Sequence, residues 1–163
     1  MLSSVIALVS MIIAVVALFL TLWQNIITRR ATQATVFIQL EQFAEDFGYS
    51  NGIEIISSMK KYDSYSEFCA LESEETKKLI YKTVNFLNYC AHLVYSKYIP
   101  RQRIWDIYFW DYRICEKLLP WWLDGVRKGN PRRFVTFEKM CKTVNKISAE
   151  AIIEWDNKRG MNG

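Results

Sequence analysis

The sequence has few of the residues that metal sites and flexible linkers require. It contains one histidine, and its four cysteines lie more than 20 residues apart with no C-x-x-C pair. Structural zinc sites use closely spaced cysteine and histidine ligands, so we expect no bound metal. With six glycines and three prolines in 163 residues, the chain also has no Gly-, Ser- or Pro-rich linker that would divide it into several soluble domains.

The familiar catalytic motifs are missing as well. There is no Gly-rich phosphate loop, no G-x-S-x-G, no H-E-x-x-H and no kinase signature. His92 stands alone in a predicted helix, where proton transfer is one interpretation and a packed core histidine is the favoured one. Cys90 has no adjacent cation to lower its pKa, which favours packing over nucleophilic catalysis. We therefore predict no enzyme activity, no catalytic residue and no cofactor.

Charge is absent from the first 28 residues, MLSSVIALVSMIIAVVALFLTLWQNIIT. About 20 apolar residues cross a bilayer core, so residues 1–30 predict one transmembrane helix. A cleaved signal peptide is the alternative, but no basic residue precedes the apolar run and the run is too long. Arg29 and Arg30 follow it, so the positive-inside rule predicts an outside N-terminus and a cytoplasmic domain, residues 31–163. In that reducing compartment we expect the cysteines to be buried, reduced thiols.

Small and weakly polar residues recur in this helix at alternating steps of four and three. They are Ser3, Ala7, Ser10, Ala14, Ala17 and Thr21, and the register continues through Gln24, Thr28, Ala31 and Thr35. Small residues allow close helix packing in lipid, and this spacing keeps them on one face of a left-handed assembly. Chance is the alternative, since small residues are common in such helices. The register favours a face for homo-oligomerisation.

Helical periodicity continues through residues 31–163, and no stretch alternates polar and apolar residues as a half-buried strand does. The fold class is therefore predicted to be all-α: one N-terminal transmembrane helix that continues, to near Phe47, into a small cytoplasmic helical domain. The further predicted helices are residues 53–62, residues 65–71 capped by Asp63 or Ser64, residues 73–98 capped by Ser73, residues 101–118, and a last helix opened by Asn130 and Pro131 and extending towards Lys158.

Aromatic and basic residues are concentrated in residues 101–134, which hold four of the six tryptophans and eight of the 21 lysines and arginines. Large aromatics dominate protein cores, so we expect a first group of these side chains to be buried. That group is Trp105, Ile107, Phe109, Trp110 and Ile114.

The loop VRKGNPRR combines four cations with a predicted helix N-terminus, which are the elements of an anion site. A solvated surface loop is the alternative. If the domain binds a phosphate-bearing ligand, the phosphate-binding residues are predicted to be Arg127, Lys128, Arg132 and Arg133. Trp121, Trp122 and Tyr108 would then be the rings on which bases stack.

Several of these residues together resemble a family of short bacterial single-span membrane proteins with a helical cytoplasmic domain of unknown function. The residues that carry the resemblance are Leu87, Asn88 and Tyr89, then Phe109 and Trp110, then Trp121 or Trp122, and then Asn130, Pro131, Arg132, Phe134, Phe137 and Glu138. The chain departs from the pattern at Cys90 and Ala91, where the family more often has an aromatic residue and Glu. The resemblance implies a single span in the bacterial inner membrane and assigns no catalytic residue.

In architecture and size the chain is also similar to CRISPR-associated membrane effectors that accompany type III systems. That resemblance implies a homotetramer whose cytoplasmic domains bind cyclic tetra-adenylate and perturb the membrane helices.

These observations predict a homo-oligomeric antiviral effector in the membrane, with a tetramer favoured and a cyclic oligoadenylate as its ligand. Its partners would be membrane lipid, further copies of itself and this messenger, with no duplex nucleic acid. The alternative is a membrane-tethered scaffold that docks a protein partner through its aromatic-rich helices and needs no small ligand.

Overall fold

A computed structural model describes residues 2–60, 62–147 and 151, and within them every regular element is helical, with no strand. This confirms the all-α fold class. The chain divides into two compact units, Met1–Gln42 and Phe43–Gly163. The α-helices are α1 Leu2–Asp46, α2 Tyr49–Ser58, α3 Tyr65–Leu71, α4 Glu74–Tyr95, α5 Arg101–Cys115, α6 Asp124–Arg127 and α7 Val135–Asn145.

Helix α1 has 45 residues and ends at Asp46, as the sequence predicts. Gly48 follows with a φ of 76°, a left-handed conformation that glycine adopts at little cost and that stops the helix. The part of α1 from Ser10–Asp46 includes a stretch long and apolar enough to cross a membrane, and none of that stretch is buried within the chain. Its apolar side chains therefore have no cover from the rest of the protein.

The second unit packs around α4, which contacts α2, α5 and α7. Spacing by three and four places residues on one side of a helix and predicts one core face for α4, and most of its members are buried. The predicted face is Leu79, Ile80, Val84, Leu87, Cys90, Ala91, Val94 and Tyr98. The buried members are Ile80, Val84, Leu87, Cys90, Ala91 and Val94. Tyr98 is exposed instead, since α4 ends at Tyr95 and Lys97 turns the chain with a φ of 61°.

Two short-range caps fix where α3 and α4 begin. The hydroxyl of Ser64 accepts a hydrogen bond from the backbone N–H of Glu67, and Ser73 accepts one from Thr76, each at 3.1 Å. Both hydroxyls satisfy donors that the first turn of a helix leaves without a partner. Of the two residues predicted to cap α3, the structure selects Ser64.

Helix α2 begins four residues earlier than predicted and contains Gly52, a residue type of low helix propensity. A Cβ at Gly52 would lie 1.9 Å from the hydroxyl oxygen of Thr83 on α4. Glycine is needed here because α2 and α4 approach each other closely, and not because the chain turns. The close packing offsets the low helix propensity of glycine.

The last described helix, α7, begins at Val135, so the prediction that Asn130 and Pro131 open it is wrong. Asn130 instead accepts a hydrogen bond from the N–H of Arg132 at 3.1 Å, which stabilises a turn. Phe134 precedes α7 with a φ of 60°, a conformation outside the helical range. The predicted extension to Lys158 lies outside the described residues.

Pro120 distorts the chain between α5 and α6. Helix α5 is followed by a 3₁₀ turn, Glu116–Leu118, and by a π-helical turn, Leu119–Leu123. Proline lacks a backbone N–H and its ring clashes with the preceding turn, so the regular hydrogen-bond pattern cannot continue through it.

Candidate anion-binding surface

The three rings predicted to stack on bases are buried in the second unit. Trp121, Trp122 and Tyr108 are 5%, 1% and 4% exposed. The ring of Trp121 lies 5.1 Å from that of Tyr62, and the ring of Tyr108 lies 5.6 Å from that of Tyr49. Each ring is packed against other aromatic side chains in this conformation and presents no free face on which a base could stack.

The four predicted phosphate-binding cations divide into two pairs. Arg127 donates from Nε to the carbonyl of Arg133 at 2.8 Å, and its Nη1 lies 2.7 Å from a carboxylate oxygen of Glu138. The guanidinium of Arg133 lies over the ring of Tyr81, 5.9 Å from its centroid. Lys128 and Arg132 are exposed, and neither forms an ion pair with any part of the chain that the structure describes.

Arg127 therefore stabilises the loop. Lys128 and Arg132 are the loop cations that are exposed to solvent without an ion-pair partner among the described residues. The Nη2 atom of Arg127 is buried without a hydrogen-bond partner among the described residues. A guanidinium in that position stabilises the loop through its other nitrogens, so replacing it would disturb the loop as well as remove a charge.

Glu138 on α7 connects this loop to a second group of cations. Its other carboxylate oxygen pairs with Lys142 Nζ at 2.5 Å. The hydrogen bond from Lys142, and then that from Arg127, lower the pKa of the Glu138 carboxyl. The carboxylate thus remains ionised well into the acid range and neutralises part of the surrounding positive charge.

A depression of about 450 Å³ lies on the same helix, lined by Val135, Glu138, Lys139, Lys142, Thr143 and Lys146. We call it the α7 depression. Lys139 Nζ lies over the ring of Tyr95, 4.3 Å from its centroid. The three lysines recur at steps of three and four, which is the sequence signal that places them on one helix face. The sequence-based prediction missed them because it concentrated on the preceding loop.

Three residues of the family pattern, Asn88, Phe134 and Phe137, lie where α4 packs against α7. The side-chain oxygen of Asn88 accepts hydrogen bonds from the backbone N–H of Phe137 at 3.0 Å and from the hydroxyl of Thr136 at 2.7 Å. Phe134 and Phe137 are buried in the same region. In this structure these residues hold α7 against α4.

Helix α5 exposes part of the aromatic group that was expected to be buried. Phe109 is buried and Trp105 and Ile114 are half-buried, but Ile107 is 48% and Trp110 56% exposed, so the core prediction is wrong for these two. The buried line of α5 is instead Ile104, Tyr108, Tyr112 and Cys115. The guanidinium of Arg113 covers one side of Trp110, 5.6 Å from the ring centroid.

His92 and the buried thiols show no catalytic arrangement. His92 is exposed, not packed in the core, and its Nε2 lies 3.4 Å from the Ser96 hydroxyl. Burial raises the pKa of the thiols of Cys90, Cys115 and Cys141, which disfavours the reactive thiolate. Among the described residues, no group of three or more His, Cys, Asp or Glu side chains could hold a metal ion.

A part-buried contact between Tyr49 and Asp111 also perturbs a pKa. The hydroxyl of Tyr49 donates to a carboxylate oxygen of Asp111 at 2.7 Å, which ties α2 to α5. Burial raises the pKa of Asp111, and the hydrogen bond from Tyr49 opposes that shift. The geometry fits a structural link between helices.

Comparisons of the chain with protein-family models, with curated proteins and with solved structures found no match. The class of protein is defined by the fold and the site. It is a helical protein with one long apolar N-terminal helix and a small helical unit that carries a basic surface.

Proposed function

We propose that the chain is a membrane-anchored, homo-oligomeric effector whose cytoplasmic unit binds a phosphate-bearing ligand. The observation that carries this proposal is the charge of residues 127–146, which contain seven lysines and arginines and one acidic residue. This segment has a formal charge of +6, whereas the whole chain has +4, so the rest of the chain is net acidic. Positive charge concentrated in one segment attracts anions and accelerates their association with that surface.

The membrane anchor is α1. The described side chains from Met11 to Ile27 include a long series of apolar groups that are more than half exposed within the single chain. Such a surface is unfavourable in water and favourable in a bilayer. The basic pair Arg29 and Arg30 follows the apolar run, which supports a bacterial inner-membrane protein with its N-terminus outside.

A cyclic oligoadenylate is the ligand we propose, within an antiviral response. A ring-shaped ligand on the symmetry axis of a homotetramer would meet the same basic residues from every subunit. Differential affinity for two arrangements of the oligomer would then repack the α1 helices and make the membrane leaky. Because the three candidate stacking rings are buried, we expect the phosphates to supply most of the affinity and the bases to supply little selectivity.

The test uses the full chain in uncharged detergent, titrated with cyclic tetra-adenylate by calorimetry. The variant Lys128→Glu with Arg132→Glu reverses the two exposed loop charges and leaves the structural Arg127 in place. We expect it to weaken binding by about tenfold or more and to reduce the salt dependence. The control reverses the same charge at Lys78 and Lys82, which are exposed on α4, and should bind like the unmodified chain.

A second readout is the release of dye from vesicles that contain the full chain. Ligand addition should cause leakage with the unmodified chain and with the control, but not with the loop variant. Absence of binding by the folded chain to any cyclic nucleotide would overturn the nucleotide proposal.

The exposed face of α5 favours a second candidate function, a membrane-tethered scaffold that docks a protein. Trp110 and Ile107 lie on this face, and exposed tryptophans are frequent anchors of protein interfaces. In that case Trp110→Ala should abolish activity, and charge reversal at Lys128 and Arg132 should leave it nearly unchanged. An effector that responds to a nucleotide should show the opposite pattern.

A further inference from the structure

Glu138 is the single acidic residue within residues 127–146, and both of its carboxylate oxygens are occupied by cations of that segment. One oxygen pairs with Arg127 Nη1 at 2.7 Å, and the other pairs with Lys142 Nζ. The side chain of Glu138 is 25% exposed and that of Lys142 is 61% exposed. The carboxylate is thus an internal anion within the basic surface, and its contact with Lys142 is open to solvent.

The α7 depression lies beside this pair and has excess positive charge. Three of its six lining residues are lysines, and Glu138 is its only acidic one. Lys139 lies over an aromatic ring, which attracts a cation but does not neutralise it. Lys146 is exposed and forms no ion pair with the described residues. The depression has a volume of about 450 Å³ and is open to solvent.

We infer that the α7 depression binds a phosphate-bearing ligand through Lys139, Lys142 and Lys146. On binding, the phosphate replaces the carboxylate of Glu138 as the ion-pair partner of Lys142. This inference rests on the proposed function for the class of ligand, and it adds a second group of phosphate contacts, on the outer face of α7, to the exposed cations of the loop. Thr143 is the neutral hydrogen-bonding side chain that lines the same depression.

A phosphate monoester favours the exchange because it has a charge of about −1.5 to −2 at neutral pH, against −1 for Glu138, and more acceptor oxygens than a carboxylate. A phosphodiester carries a charge of about −1 per linkage, so a ligand of that kind competes with Glu138 through several linkages together. The pair between Arg127 and Glu138 uses the other oxygen, so it remains in place when Lys142 moves to the ligand. The loop thus keeps its internal contact while the depression is filled.

Two sources of this chemistry exist for a protein anchored in a membrane: a soluble phosphate compound and the headgroup of an anionic lipid. Both present a phosphate to lysines at a surface, and basic residues near a membrane bind anionic lipids through the same contacts. The experiment therefore has one arm for each source.

The first arm places the full chain in nanodiscs of phosphatidylcholine and measures binding of inorganic tripolyphosphate by calorimetry. We expect Lys142→Gln with Lys146→Gln to weaken binding by about tenfold, the loss of two charge-assisted contacts. Glu138→Gln removes the competing carboxylate and should strengthen binding by about threefold, since one repulsive charge next to the ligand is lost. The matched control, Lys78→Gln with Lys82→Gln, removes the same charge from α4 and should change nothing.

Glu138→Gln is the discriminating variant, because a merely structural glutamate would give weaker binding or none when it is replaced. Lys146→Gln on its own removes an exposed side chain that forms no ion pair with the described residues, so it tests the depression even if Glu138→Gln does not fold. Unchanged affinity in the double lysine variant, or absence of tripolyphosphate binding by the unmodified chain in the first arm, would overturn the inference.

The second arm adds phosphatidylglycerol to the nanodiscs. Weaker tripolyphosphate binding in these nanodiscs identifies a headgroup as the occupant when the Lys142→Gln with Lys146→Gln variant shows no such decrease, because repulsion by the anionic surface alone would weaken binding by both proteins. Equal affinity in both nanodiscs identifies a soluble phosphate compound. Binding of tripolyphosphate that depends on Lys142 and Lys146, without binding of cyclic tetra-adenylate, would retain this site and reject the proposed nucleotide. Binding of cyclic tetra-adenylate that is insensitive to both lysines would do the reverse.

Discussion

The side-chain oxygen of Asn88 on α4 accepts a hydrogen bond from the backbone N–H of Phe137 on α7, with a distance of 3.0 Å between the two atoms. This N–H belongs to the first turn of α7, whose donors have no partner within the helix. The same oxygen also accepts from the hydroxyl of Thr136. Asn88, which lies 49 positions before Phe137, thus caps the start of α7 as the neighbouring serines Ser64 and Ser73 cap α3 and α4.

Asn88→Ala should lower the free energy of unfolding by about 1–2 kcal/mol, because it leaves a partly buried N–H and a hydroxyl without their acceptor. The measurement is urea unfolding of the full chain in uncharged detergent, followed by circular dichroism. Asn85→Ala, at an exposed position on the same helix, is the control and should change stability by less than about 0.5 kcal/mol. Equal stability of the two variants would contradict the capping role of Asn88.

Glu138 should give the fold a dependence on acid pH. Its hydrogen bonds to Lys142 and Arg127 lower its pKa in the folded state below the unfolded value of about 4.3. A group with a lowered folded pKa contributes stability that is present above the unfolded pKa and is lost as the pH falls through the folded pKa. The thermal midpoint of the unmodified chain should therefore fall in acid by more than that of Glu138→Gln.

The thermal midpoints of the unmodified chain and of Glu138→Gln are compared at each pH, so that the contributions of the other titrating groups cancel. Lys78→Gln serves as a control for the removal of one surface charge, and its curve should run parallel to that of the unmodified chain. Parallel curves for Glu138→Gln as well would show that the ion pairs of Glu138 contribute no stability.

The four thiols should differ sharply in reactivity. Cys69 is half-buried, whereas Cys90, Cys115 and Cys141 are buried and their pKa values are raised by that burial. Because the thiolate is the reactive form, a disulfide reagent should label Cys69 first in the folded chain and the other three only after unfolding. The variant Cys69→Ser should then show almost no labelling under native conditions. Fast labelling of that variant would contradict the burial of the remaining thiols.

The small-residue face of α1 should mediate assembly without being required for insertion. The hydroxyl of Thr21 donates to the carbonyl of Ala17 at 2.8 Å, so it is satisfied within its own helix and the face contributes close packing. Ala14→Leu with Ala17→Leu should leave membrane insertion intact and weaken the oligomer, as measured by crosslinking in native-like vesicles. Val16→Leu, on the opposite side of the helix, is the control. A helix whose oligomer and activity survive both changes would be an anchor only.

Features set by neighbouring residues were predictable from the sequence. The starts of α3 and α4 follow from Ser64 and Ser73, whose hydroxyls accept hydrogen bonds from N–H groups three residues further on. The end of α1 follows from Gly48, and the distortion after α5 follows from Pro120. Each of these depends on backbone chemistry within one helical turn.

The candidate site was only partly predictable. The basic composition of the loop is visible in the sequence, but the different roles of its cations are not. Arg127 pairs with Glu138, whereas Lys128 and Arg132 are exposed. The lysines of α7 recur at helical spacing, yet nothing local shows that they line a depression. That depends on which side of α7 is covered by α4.

The sequence by itself determined that the chain is helical and that its first helix is long and apolar, because helical periodicity, caps and hydrophobic length are local properties. The tertiary structure alone decided that Trp121, Trp122 and Tyr108 are buried while Trp110 is exposed. Aromatic residues occupy several sides of these helices, so the pattern does not say which side packs. It also decided that α7 begins at Val135 and not at Pro131, because the acceptor for its first turn, Asn88, is supplied by another helix.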